Sequence, residues 1–196
     1  GHYNQAYWCT ENIIEQQNNL DLCEIHSQGL EMLYYDYYEE LLGEEAGEDF
    51  GFFQVYRMAT GIVDIALLSE FEIEAYKHPE MSLEDLNKLY LNLSEQYGIY
   101  YVDGVDALYT WSDTSHVFSS PCYYVSYMTS AFSSLDLLTL WEEDRHKAVE
   151  TYMELTTLPT YAPYCSAVEY VGLRDIFEKG VPEEIAEETI RILGIE

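Results

Sequence analysis

The sequence has little positive charge. Only 8 Lys and Arg stand against 37 Asp and Glu in 196 residues, a formal net charge of −29. A field of that sign repels phosphate backbones and anionic lipid surfaces, so nucleic acid and membrane are discounted as partners. Cysteine is scarce as well. Cys9, Cys23, Cys122 and Cys165 form no C-x-x-C pair, which excludes a zinc knuckle and a thioredoxin motif. A chain of this length needs no disulfide staples, and scattered thiols fit a reducing, cytoplasmic setting. Residues 1–20 have neither a basic start nor an apolar run, so no secretory signal is expected. No apolar stretch of the sequence reaches the length of a membrane span. There is no linker rich in Pro, Gly or Ser, no low-complexity segment and no internal repeat.

What the chain does have is apolar and aromatic material. Hydrophobic residues make up 48%, and 20 Tyr are spread along the sequence, enough to bury a core despite the charge. The acidity has two readings. One is a solvated acidic surface, which is the simpler; the other is an acidic cleft that attracts cationic peptides.

The apolar spacing is helical almost throughout, which predicts an all-α chain forming a single domain over residues 1–196. Residues 2–9 read as the end of a helix, and "ENIIEQQNN" as a polar connection. In "LDLCEIHSQGLEMLYYDYYEELLG", Leu22, Ile25, Leu33, Tyr37 and Leu41 recur near a period of 3.6, with Gly43 as the stop. An acidic loop, "GEEAGED", is expected next. One long helix then covers residues 50–77, ended by His78-Pro79. Ser82 with Asp85 three residues later reads as a capping box, and Gly98 ends that helix. "IYYVDG" is the one short stretch of strand character, and residues 104–120 are ambiguous. Ser120 and Pro121 read as the cap and first turn of a largely buried helix reaching Trp141. An exposed amphipathic helix, "EEDRHKAVETYMELTTL", comes next. A loop, "PTYAPY", a short helix near 164–171 and a last helix from Pro182 to Leu193 complete the chain.

Three places carry residue types that chemistry uses. His2 is most simply a solvent-exposed residue, but it could also close a His-Glu-x-x-His helix, in which two histidines at i and i+4 face one zinc. In "EIHSQGLE", Glu24 and Glu31 are seven apart and share a helix face, beside Leu22, Ile25 and Leu30. Carboxylates beside an apolar face call for a metal or a ligand histidine as partner. A pair of surface glutamates is the competing reading. In "HVFSSPCYYVSY", His116 precedes a helix carrying Tyr123, Tyr124 and Tyr127, with Tyr123 and Tyr127 at i, i+4. Imidazole and phenol donors on one face can stabilise an oxyanion or hold a peptide carbonyl. In so tyrosine-rich a chain, a core role competes with that reading.

These three pieces occur in an order that resembles the C-terminal part of the oligoendopeptidase F / thimet-oligopeptidase-like zinc metallopeptidases, peptidase family M3. That family has a helix motif His-Glu-Phe-Gly-His, then a second helix whose Glu is the third zinc ligand. "GHYNQAYW" is similar to the end of the first motif and the residues after it, and "EIHSQGLE" to the second. "LLSEFEIEAYKHPEMSLEDLNKLYLNLSEQYG" resembles the family's Glu-Phe helix and the helix after it. "HVFSSPCYYVSYMTSAFS" resembles its substrate-binding His-Tyr segment, and "YVGLRDIFEKG" its ending.

The resemblance implies a multi-helix catalytic-lobe fragment of a zincin-type oligopeptidase, with at most one short strand. It implies one Zn2+ per complete site, with His2 and Glu24 as metal ligands and Glu31 supporting them from behind. His116, Tyr123 and Tyr127 fall on catalytic positions, with Tyr124 as a substrate-binding neighbour. The substrates implied are short peptides. The first zinc histidine and the general-base glutamate would lie just before Gly1. The chain is therefore expected to be a C-terminal piece that lacks both and is inactive by itself. A reading from another class is an acidic, all-helical interaction or scaffold module without catalysis. Self-association through uncovered apolar surface is a third.

Overall fold

The computed structural model describes residues 19–99, 107–159 and 161–195. The described residues form nine α-helices, two short 3-10 helices and no strand, so the all-α expectation holds. The helix expected over residues 2–9 and nearly all of the candidate strand "IYYVDG" lie outside the described residues.

Helix α1 (Leu20–Leu33) starts where the Asn19 side chain accepts the Leu22 N–H. A single helix running on to Gly43 was expected. Instead the chain tightens into a 3-10 turn at Tyr35–Tyr37 and resumes as α2 (Tyr38–Leu42). Gly43 does end it, at φ 89°, a backbone conformation that costs glycine little. The acidic loop is not there: α3 (Glu44–Lys77) begins directly after Gly43. Two glutamates in its first turn suit the positive end of the helix dipole. Gly47 makes the reversal possible. A Cβ there would sit 2.4 Å from Glu39 Cα, so α2 and α3 pack backbone to backbone.

The 34-residue α3 is long and apolar enough to cross a membrane by length and composition, with 33% of its most apolar window buried. No such stretch was expected from the sequence. Core helices of globular domains have the same composition, and Leu67, Leu68 and Phe71 of α3 are buried in a core.

Helix α4 (Leu83–Gln96) has the expected capping box. Ser82 Oγ accepts the Asp85 N–H at 3.2 Å, and Asp85 Oδ2 accepts the Ser82 N–H at 3.1 Å. A 3-10 helix (Ala107–Asp113) and the one-turn α5 (His116–Ser119) occupy the stretch that was ambiguous in sequence. Helix α6 (Val125–Glu143) begins four residues later than Pro121 suggested. Pro121 and Cys122 form a turn, and Cys122 takes φ 60°. Helices α7 (Arg145–Leu155), α8 (Tyr164–Val171) and α9 (Val181–Ile192) match their sequence signals closely.

The chain divides into two compact units, one ending at Ala59 and resuming at Thr129, the other Thr60–Met128. The divisions fall inside α3 and α6, so no linker composition marks them in the sequence. The first unit buries Ile25, Leu135, Leu137, Leu138, Val168 and Ile185. Polar pairs tie its helices together: Ser130 Oγ donates to Gln28 Oε1 at 2.7 Å, and Ser133 meets the Tyr164 hydroxyl at 2.7 Å. The second unit closes around Leu67, Leu68, Phe71, Tyr90, Leu93 and Trp111. There the Trp111 indole N–H finds Asn87 Oδ1 at 3.0 Å, which satisfies both buried polar groups.

Candidate functional site

The stretch "EIHSQGLE" lies on α1, and the fold gives each of its letters a place. Glu24 is only 7% exposed, and Ser27 Oγ lies 3.0 Å from its Oε2. Ile25 is fully buried in the core. Gln28 reaches Ser130 on α6. Gly29 lets Leu137 approach, since a Cβ would stand 3.2 Å from that side chain. The motif therefore packs one helix closely against another while burying a carboxylate.

Glu31 does not share that burial. Its side chain is 41% exposed and faces Arg57 at 3.6 Å, as a surface ion pair. Leu30 is exposed as well: it lies off the buried face of α1, which continues past Gly29 to Met32 and Leu33. A spacing of seven residues returns to one face, but that face turns from core to surface within the helix. His2 lies outside the described residues.

One residue of the motif carries more than its sequence suggested. His26 is 6% exposed, and its Nδ1 has no hydrogen-bond partner. The Tyr152 hydroxyl donates to its backbone carbonyl at 2.8 Å and the Tyr152 ring stands edge-on. Burial lowers the imidazole to about 4, so it is neutral at physiological pH. Cys23 beside it is pushed up to about 11, by burial first and then by Glu24. The sequence held one signal for His26: its neighbours Leu22, Ile25 and Gly29 mark the buried side of the helix.

Glu24 suits a metal as a single donor, because a buried carboxylate oriented by a hydroxyl is a hard oxygen ligand held in place. No group of three His, Cys, Asp or Glu able to hold a metal ion occurs among the described residues.

The second unit holds the His-Tyr segment, and its rings come together. His116 stacks on Tyr123 with centroids 5.2 Å apart, and lies 5.6 Å from Tyr124 and 5.7 Å from Tyr127. Tyr127 in turn is 5.3 Å from Tyr123 and 5.5 Å from Tyr124. All four are partly buried. Their positions come from an unforeseen geometry: Tyr123 and Tyr124 precede the helix and Tyr127 lies in its first turn. Burial raises the Tyr124 phenol, with the carboxylate of Asp64 adding to the effect, so it stays a donor at neutral pH. Asp64 is itself raised by burial. Sequence reasoning missed Asp64 and also Glu72, a carboxylate only 3% exposed on the same helix. The signal for Glu72 was its spacing: it follows Phe71 directly and lies four residues after Leu68, on the buried side of the helix.

No family model and no curated protein matches the chain. Solved structures do. One assigned as an oligoendopeptidase F matches over 97% of this chain and 34% of its own, at 22% identity and a TM-score of 0.86. PZ peptidase A, determined with an inhibitor, matches over 97% of this chain and 35% of its own, at 20% identity and a TM-score of 0.88. A protein of Bacillus anthracis str. Ames assigned as an oligoendopeptidase F matches over 97% and 32%, at 21% identity and a TM-score of 0.78. The chain thus shares the fold of a helical part of these proteins and spans about a third of their length.

Proposed function

We propose that this chain is the C-terminal, helical part of a zinc-dependent oligoendopeptidase that hydrolyses short peptides. The observation that carries the reading is a coincidence of fold and motif. The chain shares the fold of a third of such peptidases along 97% of its length. On that fold, "EIHSQGLE" buries its first glutamate and "HVFSSPCYYVSY" gathers its imidazole and phenols into one cluster.

In this reading Glu24 and His2 hold the zinc, with Ser27 fixing the Glu24 carboxylate. The bound metal supplies a polarised water and an electrophile for the peptide carbonyl. The other roles belong to side chains of this chain. His116 and the phenol of Tyr123 or Tyr127 donate hydrogen bonds to the oxygen that becomes negative as the carbonyl is attacked. Tyr124 lies against the substrate backbone. Donors already packed on one another cost little reorganisation when charge develops. The general base and the remaining zinc ligands are not among the residues this reading assigns, and the chain alone is expected to be inactive. Its acidic field favours peptides that carry positive charge.

The test uses the longest native polypeptide that contains this chain, with fluorogenic short peptides and zinc quantified by mass spectrometry. Stoichiometric zinc and hydrolysis, both lost in Glu24→Ala, are expected. Hydrolysis and zinc content unchanged by Glu24→Ala would sink the proposal and leave a non-catalytic acidic helical module as the better reading.

A further inference from the structure

The His116–Tyr127 segment needs holding. Cys122 has φ 60°, the only positive φ outside glycine among the described residues. That conformation is unfavourable for a residue with a side chain, and persists only where the surroundings enforce it. What enforces it is on α3. The Cys122 N–H donates to Glu72 Oε1 at 2.9 Å. One helical turn further on, the Tyr76 hydroxyl donates to the Val117 carbonyl at 3.4 Å. Glu72 and Tyr76 are i, i+4, so one face of α3 grips this segment at two points, with Tyr123 beside the residue held by Glu72 and His116 beside the residue held by Tyr76.

The two grips differ in strength. Tyr76 is exposed and its bond is long, so it is the weaker. Glu72 is almost wholly buried, and a carboxylate taken out of water is retained only where it makes strong, charge-assisted bonds. The bond it makes falls at the residue with the strained backbone. Within the turn, the Tyr123 N–H also returns to the Ser120 carbonyl at 3.0 Å. Releasing Glu72 lets Cys122 relax to negative φ, and the chain after it, which begins with Tyr123, rotates away from the His116 ring.

We propose that Glu72, assisted by Tyr76, is a positioning residue: it locks Cys122 in the left-handed conformation and so sets Tyr123 and Tyr127 against His116. The proposal rests on the peptidase reading of that cluster, but its geometric part can be measured without turnover.

The experiment compares Glu72→Ala, Glu72→Gln and the double variant Glu72→Ala with Cys122→Gly. Two readouts come from the chain itself: amide exchange at Cys122, and nuclear Overhauser contacts between the His116 and Tyr123 rings. A third, kcat and KM for a short peptide, comes from the longest native polypeptide. In Glu72→Ala the Cys122 amide should exchange about tenfold faster or more, and the ring contacts should weaken. In the same variant kcat should fall about tenfold with KM little changed. Glu72→Gln keeps an acceptor oxygen and should restore most of each signal. Cys122→Gly should rescue the alanine variant, because glycine takes positive φ freely. A residue that merely packs would not be rescued that way. If Glu72→Ala does not fold, the rescued double variant and Glu72→Gln carry the comparison. Unchanged exchange and ring contacts in Glu72→Ala, or no rescue by glycine, overturn the positioning role whatever the activity. Lost contacts with undiminished kcat keep the positioning role and overturn the cluster's place in catalysis.

Discussion

Removing the Asp136 carboxylate should be among the most damaging single changes in the first unit. Asp136 lies on α6 and is 5% exposed. Its Oδ2 accepts the Arg174 backbone N–H at 2.7 Å, and its Oδ1 accepts Arg174 Nε at 2.7 Å and faces Nη2 at 2.6 Å. Arg174 also reaches Glu188 on α9 at 2.5 Å, so the network fastens the last helix to α6. Burial pushes the Asp136 carboxyl up, and its bonds from Arg174 pull it back. The pair therefore adds little over an apolar pair of the same volume, but breaking it is costly. In Asp136→Ala the Arg174 amide and Nε lose their acceptor. Breaking a buried pair costs about 3–5 kcal/mol, and the partly exposed guanidinium that keeps Glu188 places this case near the low end, about 3 kcal/mol. For a chain of this size that is a fall in Tm of about 6–12 °C. The assay is thermal and urea unfolding at neutral pH, with the m-value checked for constancy. Asp136→Asn should lose about half as much, and Arg174→Met should be strongly non-additive with Asp136→Ala. A loss under about 1 kcal/mol, or full additivity, would refute the reasoning.

The remaining predictions concern backbone, pH and thiols. Gly47→Ala should destabilise, because the new Cβ meets Glu39 backbone; Gly61→Ala, with open space around it, should stabilise by about 0.5–1 kcal/mol in the same unfolding assay. If the two substitutions behave alike, the close approach of α2 and α3 is wrong. His26 is lowered from 6.5 to about 4, so the unfolded chain takes up its proton first. Its contribution is complete above the ordinary value and is lost as pH falls from 6.5 towards 4, about 3 kcal/mol in all. The difference in stability between wild type and His26→Leu should track that curve, and a difference flat with pH would refute it. Among the cysteines of the described residues, alkylation of the native protein at pH 8, mapped by peptide, should label exposed Cys122 first. Cys165, raised by its hydrogen bond to Asp175, should come second, and buried Cys23, raised to about 11, should react last by far. Early labelling of Cys23 would show that α1 is not packed as described.

Helix positions and caps were legible in the sequence because they depend on neighbours within one turn. Ser82 with Asp85, Gly43, Gly98 and His78-Pro79 all act as their spacing says. The order of the motifs, read as a resemblance, pointed to a fold that the solved structures share. Other features depended on distant partners. The acidic "GEEAGED" became helix because Gly47 lets two backbones touch, which composition does not express. The start of α6 falls at Val125 and not at Pro121: Cys122 takes φ 60° and its amide meets Glu72, fifty residues away, a partner no local signal names. Glu24 and Glu31 looked equivalent at a spacing of seven, and only packing decided that one is buried and the other meets Arg57 at the surface. The sequence by itself determined the all-helical character and the stops at Gly43, His78-Pro79 and Gly98, since those rest on local free energies. The tertiary structure alone decided which side chains of a coiled segment leave water, because burial depends on what the rest of the chain brings against them.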